Sequence, residues 1–507
     1  MRRSLNLTLL LALAAPVAIG QIGIGAISHS VPHANQRVGT PPTVIAKGFK
    51  FTTLARGTDP LENPSAKISQ FGLLTDGTRT EPDQNLYLVL GHVSGPTANY
   101  DYGHHFLFQG HENAGDLAYV TRINLDVTDP AHRVTLLTPE GADGFTHFNS
   151  VDGSTYDPFS KTLLFTQETG SNGGVIQISQ TWPPVVTTMD GILGKGGYEG
   201  IHPDILGNLL IIEDAGGVTV NIDPNDPNSP KTAKQPNSFV YRFVPKDKTD
   251  LSKGGKLQAL QVSIHGKPVI FHADDPVGDV FSDHQLALHT PGASYPVSWV
   301  TIHDTDVDGT DSFDANAAAK TAGATPFKRP ENAAYLPGSG FHTFFFCPTG
   351  DTDATSGGSA DLAARGSWGS IFRVDLLADY SRGKISIFVL GDAAHASFDN
   401  LTFANFDTLT ATEDRGDTLH TQLNTLDSVW AFPVRGHQAP RRLVALGRDA
   451  TSEAAGEDNE PTGLLVSNGS TLPFAQPGSI FNLLFARGFL TRQHGDNVVW
   501  EIVKADQ

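Results

Sequence analysis

The chain has 507 residues, with 52 Gly, 32 Pro and 29 Phe against only 2 Met, a turn-rich and aromatic make-up that favours many short strands over helices. Its 35 Lys and Arg set against 54 Asp and Glu leave a net charge of −19, which repels phosphate backbones and sets nucleic acid binding aside. A lone cysteine, Cys347, excludes any intrachain disulfide, so the fold must be held by its core and by bound ions.

The N-terminus opens with Arg2 and Arg3, an apolar run from Leu5 to Ala15 and small residues near Ala18 to Gly20. This is the pattern of an export signal over residues 1–20, too short to span a bilayer as a stable helix. The expected product is secreted or periplasmic. No other run approaches the ~20 apolar residues of a membrane helix. A Gly- and Pro-rich lead over 21–50 follows, and 51–507 reads as one domain with no linker inside it.

Five segments then share one design, an apolar stretch, a turn and a second apolar stretch: YDPFSKTLLFTQE (156–168), IHPDILGNLLIIED (201–214), AYLPGSGFHTFFFCPTGD (334–351), LTFANFDTLTATED (401–414) and GLLVSNGSTLPFAQ (463–476). Their turn chemistry predicts hairpins. Hairpins that cannot bury both faces alone stack radially, and a sixth start in KISQFGLLTDG or QNLYLVLG completes an all-β, six-bladed β-propeller with loop insertions and minor helix. One large insertion, roughly 221–325, is expected between outer strands. It holds FDANAAAKTAG, a short helix candidate.

In such a blade the innermost strand starts at the central axis, so the residues opening each hairpin should converge. They are Asn149, Glu199 with His202 nearby, Arg329 and Glu331, Asp399 and Asn400, and Glu460. Glu168, Glu213, Asp214, Glu413 and Asp414 close hairpins, and FQGHENAGD adds Glu112 and Asn113. Carboxylates crowded at one axis repel by several kcal/mol at low effective dielectric and need protons or cations between them. Hard oxygen ligands with Asn carbonyls suit calcium. The expected metal ligands are Glu112, Glu168, Glu199, Glu213, Glu331, Asn400 and Glu460.

Arg329 has a planar fork that matches phosphate oxygens, and a cation site repels it unless an anion sits between. The order Arg329-Pro330-Glu331 would let one side chain face substrate and the other metal; a plain ion pair closing a blade fits the same spacing. Arg329 and Asn113 are the candidate catalytic residues. DTDVDGTD (304–311) has the Asp-x-Asp-x-Asp-Gly spacing of a calcium loop, with Asp304, Asp306 and Asp308 as peripheral calcium ligands, or else a simple acidic turn. No Gly-x-Ser-x-Gly elbow, His-Glu-x-x-His pair or Walker loop occurs, and Cys347, following three Phe, reads as a buried small hydrophobe.

Together these segments resemble the PhoX-type alkaline phosphatases, exported six-bladed propellers. The resemblance rests on FQGHENAG, GGYEGIHPDILGNLLIIED, AGATPFKRPENAAYLP, FDNLTF and NEPTGLLVSNGSTL, which follow the family's order from about 105 to 485. It implies phosphomonoester hydrolysis at a calcium-dependent cluster that also holds iron bridged by a cysteine thiolate. Glu199, Glu331, Glu168 and Glu460 would be metal ligands and Arg329 would hold the phosphate of a small phosphorylated substrate. The chain departs from the family where GADGFTHFNSVDG (141–153) lacks the bridging cysteine, and where Gly110 and Tyr198 replace an Asn and a His. Calcium is therefore the expected cofactor and iron lacks its bridge. A monomer is expected. Two other functions fit the same acidic axis, a calcium-dependent lactonase or esterase propeller and a non-catalytic, calcium-stabilised binding propeller.

Overall fold

A computed structural model describes residues 22–32, 35–436 and 438–505, so the export signal expected over 1–20 lies outside the described residues. Short strands pair antiparallel with their sequence neighbours and build six blades around an axis. The innermost strands are Glu81–Val89, Val151–Asp157, Tyr198–Pro203, Pro330–Tyr335, Phe398–Asn405 and Glu460–Ser467. Each lies beside the next, and the last returns to the first, closing the ring.

Closure comes from the N-terminal side. Phe49–Arg56 forms the outer edge of the sixth blade by pairing with Val498–Lys504, so the two ends of the domain share one sheet. The lead ahead of it is also built in, since Val44–Ile45 adds a strand to the fifth blade. Ile24, Ile27 and Val31 are buried against that blade and the sixth. Between blades three and four, Tyr295–Asp304 pairs with Gly255–Ile264 on one side and Arg382–Leu390 on the other, fusing two blades into one continuous sheet.

Both faces of a blade are apolar because each packs on a neighbour. The main apolar clusters accordingly lie in seams between blades. Leu164 and Val175 of blade two meet Tyr198 and Ile211 of blade three, and Tyr87 and Leu107 of blade one meet Phe489 and Val499 of blade six. Cys347 is fully buried in the seam between blades four and five beside Phe345 and Phe398, as its apolar context suggested. No helix among the described residues is long and apolar enough to cross a membrane.

Two expectations about connectivity change. The segment 463–476 is not a hairpin: its first half belongs to the inner strand Glu460–Ser467, and the return strand is Arg487–Gln493. Pro473 and Pro477 lack the N–H groups a ladder requires, so the intervening chain forms short 3-10 turns at Pro473–Ala475 and Ile480–Leu483 instead. The interval 221–325 is only partly an insertion, because it holds both outer strands of blade three, Val240–Pro245 and Gly255–Ile264. The Ala-rich helix within it does form, at Ala315–Thr321, with the Asp314 carboxylate capping the Ala317 N–H.

Candidate active site at the propeller axis

All six inner strands carry a β-bulge near their starts, where the register with the second strand slips. In five of them the first bulged residue is acidic and the next is Gln, Gly or Asn: Asp83-Gln84, Asp152-Gly153, Glu199-Gly200, Glu331-Asn332 and Asp399-Asn400. A bulge turns its extra side chain out of the ladder, which here aims five carboxylates at the mouth of the axis. Gly153 shows how tight the packing is, since a Cβ there would sit 1.7 Å from the Glu199 carbonyl oxygen of the adjacent strand. In blade six the bulge falls at Gly463-Leu464 and the carboxylate comes from Glu460 at the strand's first residue.

A second tier comes from the returning strands. In the first five blades, one residue beyond the partner of the pre-bulge residue, stand Glu112, Glu168, Asp214 and Asp414, with Thr349 at the corresponding place in blade four. There the Thr349 hydroxyl donates to Glu331. The resulting pocket is lined by ten carboxylates, those of Glu81, Asp83, Glu112, Asp152, Glu168, Glu199, Glu331, Asp399, Asp414 and Glu460, with Arg329, Gln493 and His494.

Two groups of three carboxylates converge closely. Asp83, Glu112 and Asp152 offer oxygens all within 4.8 Å of one another, and so do Glu168, Asp214 and Glu331. At that spacing, like charges repel by about 3 to 4 kcal/mol per pair at an effective dielectric near 20. The protons respond accordingly. Burial, then neighbouring carboxylates, push Asp152, Glu199 and Glu112 well above the ordinary carboxylate range. Burial also raises Asp83 and Glu331 to about 7.

Each group leaves an oxygen unanswered, because Asp152 Oδ1 and Asp214 Oδ1 are buried without a hydrogen-bond partner. Orphaned carboxylate oxygens inside an acidic pocket are what a hard cation would satisfy. The cationic side chains present are already engaged. Arg329 Nε donates to Asp214 Oδ2 at 2.7 Å, its Nη2 lies 2.7 Å from that oxygen, and Glu331 Oε1 is 3.4 Å away. His494 sits between Glu460 and Glu81 at 3.4 and 3.3 Å; burial opposes its charge, but those carboxylates prevail and hold its pKa well above the usual imidazole value.

Of the residues anticipated from sequence, Glu112, Glu168, Glu199, Glu331, Glu460 and Arg329 meet in this pocket. Arg329 and Glu331, on either side of Pro330, both face the pocket and lie within ion-pair distance of each other, with Arg329 held at φ 52°. Glu213 points the other way. Its carboxylate accepts from Tyr241 Oη at 2.7 Å, the Phe239 N–H and Asn316, because adjacent strand residues face opposite sides and Asp214 takes the axial direction. Asn400 lies below the carboxylates, where its Oδ1 accepts from the Gly463 N–H and the Thr462 hydroxyl and ties blade five to blade six. Asn113 is at the rim, outside the pocket lining, and its carbonyl accepts from the Ser150 N–H at 3.2 Å. Asn149 also stays at the rim, bound to Asp116, and Asp152 supplies the axial carboxylate of its blade.

The turn at Asp304, Asp306 and Asp308 lies far out on blade three, and its carboxylates have other partners. Lys256 pairs with Asp304 at 2.9 Å, Lys246 pairs with Asp306, and Asp308 accepts the Asp304 N–H at 2.7 Å. Glu81, Asp83, Asp152, Gln493 and His494 were missed by the hairpin reading. The signal for Asp83 and Asp152 was present as an acid followed by Gln or Gly just ahead of an apolar strand, matching Glu199-Gly200 and Glu331-Asn332.

Among solved structures, a catalytically inactive virginiamycin B lyase from Staphylococcus aureus with quinupristin is 11% identical, with 90% of this chain and 99% of that one covered and a TM-score of 0.34. The pyranose dehydrogenase PQQ domain from Coprinopsis cinerea is 13% identical over 76% of this chain and 97% of its own, at a TM-score of 0.30. Neither is near enough to carry chemistry across. No curated protein matches. The model of the family described as alkaline phosphatase PhoX matches residues 217–468, an interval that contains Arg329, Glu331, Asp399, Asp414 and Glu460 of the axial pocket. With the Arg-Pro-Glu strand and the acidic starts of three successive blades inside that match, the chain belongs to the PhoX alkaline phosphatase family.

Proposed function

We propose that the protein is an exported, metal-dependent phosphoesterase that hydrolyses small phosphate monoesters at the axial pocket. The observation that carries this reading is a pocket lined by ten carboxylates and one guanidinium. A phosphate dianion cannot approach such a surface by itself, so the substrate and the cations that admit it belong to one site.

The donors fit a hard cation. Asp83, Glu112 and Asp152 would hold one and Glu168, Asp214 and Glu331 a second, each group contributing an oxygen that lacks a partner within the protein. Calcium, when bound, supplies charge that offsets both the carboxylates and the phosphate oxygens. A thiolate-bridged iron centre does not fit. The chain's one cysteine is fully buried in a blade seam, its Sγ donates to the Asp399 carbonyl at 2.6 Å, and burial holds its thiol well above the ordinary pKa.

Arg329 is the chain's own phosphate ligand in this scheme. Its side chain keeps 20% of its surface open to the pocket, and its Nε and Nη2 already address one carboxylate oxygen of Asp214. A cation taken up by Asp214 would release that fork toward an incoming phosphate, where it stabilises charge building on the oxygens. His494 holds a proton between Glu460 and Glu81 at the pocket wall and lowers the local negative charge there.

Release of p-nitrophenol from p-nitrophenyl phosphate by the purified protein, after EDTA and after calcium is restored, tests the proposal. Turnover that disappears and returns is expected. No metal-dependent turnover would remove the enzyme reading. Turnover of lactones without phosphate release would replace it by a calcium-dependent lactonase or esterase, and calcium-dependent melting with neither activity by a binding propeller.

A further inference from the structure

The sixth inner strand starts at the acidic mouth with Glu460 and ends at Ser467, so the excursion that follows it, up to Ala486, leaves from the opposite end of the channel. That excursion has an unusual surface. Leu472, Phe474, Ile480, Phe481 and Phe485 are each at least 40% exposed, with Phe485 at 75%. Phe474 and Phe481 meet edge to face at 5.7 Å, so these two rings form one apolar surface, and the other three side chains stand on the same excursion. In a chain of net charge −19, the run from Pro461 to Ala486 has no Asp, Glu, Lys, Arg or His. A large apolar patch without charged residues marks a binding surface.

Three observations say what covers it. The absence of charge gives a protein partner nothing to orient against, and gives an anionic surface nothing to attract it. Four backbone carbonyls of the excursion are answered by its own side chains. Asn468 Nδ2 donates to the carbonyls of Phe481 at 2.8 Å and Leu484 at 3.1 Å, and Gln476 Nε2 donates to those of Ser470 and Leu472. A loop whose carbonyls are satisfied in this way can enter an apolar medium without stranding them. Finally, the chain enters the fold at the same place: Ile22 bridges Leu484, and the Gly23 N–H donates to the Leu483 carbonyl at 2.7 Å.

We infer that this end of the propeller docks on a lipid bilayer surface of low charge, with Leu472, Phe474, Phe481 and Phe485 seated among the acyl chains. The acidic mouth then faces away from the membrane. Its contact is interfacial and needs no spanning helix.

Flotation of the purified protein with phosphatidylcholine vesicles tests the inference, comparing it with a Phe474→Ser/Phe485→Ser variant carrying the same N-terminus. Wild-type protein should float, and the double variant should lose about tenfold or more in partitioning. Phe485→Trp, made alone, provides a reading that does not depend on the double variant folding. Its added tryptophan should shift to the blue on vesicles and be quenched by brominated phosphatidylcholine. Equal flotation of wild type and double variant, or a Phe485→Trp protein without shift or quenching, would overturn the inference. So would a dimer that forms without lipid and is lost in the double variant, since a second copy would then be the occupant.

Discussion

Two acidic clusters in this molecule look alike on paper and differ in every physical respect. The turn carrying Asp304, Asp306 and Asp308 is local, exposed and matched by Lys256, Lys246 and its own backbone. The axial pocket gathers its carboxylates from six blades, buries half of them and, with Asp214 behind it, leaves Asp152 Oδ1 and Asp214 Oδ1 without partners. An alternating run of Asp residues therefore makes a self-contained turn unless the fold withholds counter-charges. Acidic residues far apart in the chain, forced together by a closed ring, generate a demand for positive charge that the protein itself does not meet.

The largest test of that contrast is removal of cations. EDTA should abolish phosphate ester turnover and lower the melting temperature, with calcium restoring both, because the axial carboxylates must otherwise be held together by protons alone. Next comes Arg329→Ala, expected to reduce kcat/KM by about 10²- to 10³-fold, the usual cost of losing a charge-stabilising donor. The same variant frees Asp214 and Glu331 of their guanidinium, so calcium should still raise the melting temperature at least as much as in the wild type. Loss of activity with a weakened calcium response would instead make Arg329 a structural ion pair. Arg329→Lys should recover little, since the ammonium lacks the fork.

A smaller effect follows from protons. Burial raises Asp83 and Glu331 to about 7, from ordinary values of 3.8 and 4.5. Between those limits the folded protein keeps a proton that the unfolded chain has released, so the folded state binds more protons and stability falls as pH rises. The cation-free protein should then be most stable near pH 4 to 5 and lose stability through about pH 7, whereas calcium-saturated protein should be flat or rise across that window. Melting curves at pH 5, 6, 7 and 8 with EDTA and with calcium check this, and parallel profiles would contradict it.

Much of the architecture is legible in the sequence. Hairpin turns marked four of the first-to-second strand pairs correctly, since local turn chemistry decides those. The pairing of Phe49–Arg56 with Val498–Lys504 was not legible, because nothing local joins segments so far apart in the chain. The placement of acidic residues at the axis was legible only in part. Glu199 and Glu331 stand where the hairpin starts placed them, while Glu213 and Asp214 exchange roles because a strand end alternates faces and a bulge upstream decides which residue is axial. Asp83 and Asp152 were hidden for the same reason: hairpin counting locates a strand, but the bulge locates the carboxylate.

The smallest effect is also the cleanest separation of the two clusters. Asp306→Asn in the exposed turn removes a carboxylate paired with a solvent-exposed Lys246, an interaction that contributes about 0 to 1 kcal/mol. Its melting temperature should stay within about 1 to 3 °C of wild type, given the steep unfolding entropy of a chain this long, and its calcium response should be unchanged. Asp152→Asn removes one of three converging carboxylates and relieves repulsion, so without calcium it should melt at or above wild type. With calcium it should gain less than wild type, because the first group has lost an anionic ligand. Opposite signs for one substitution with and without calcium, set against no response in the other, would separate a cation site from an acidic turn. A calcium response that shrinks in Asp306→Asn and persists in Asp152→Asn would reverse the assignment.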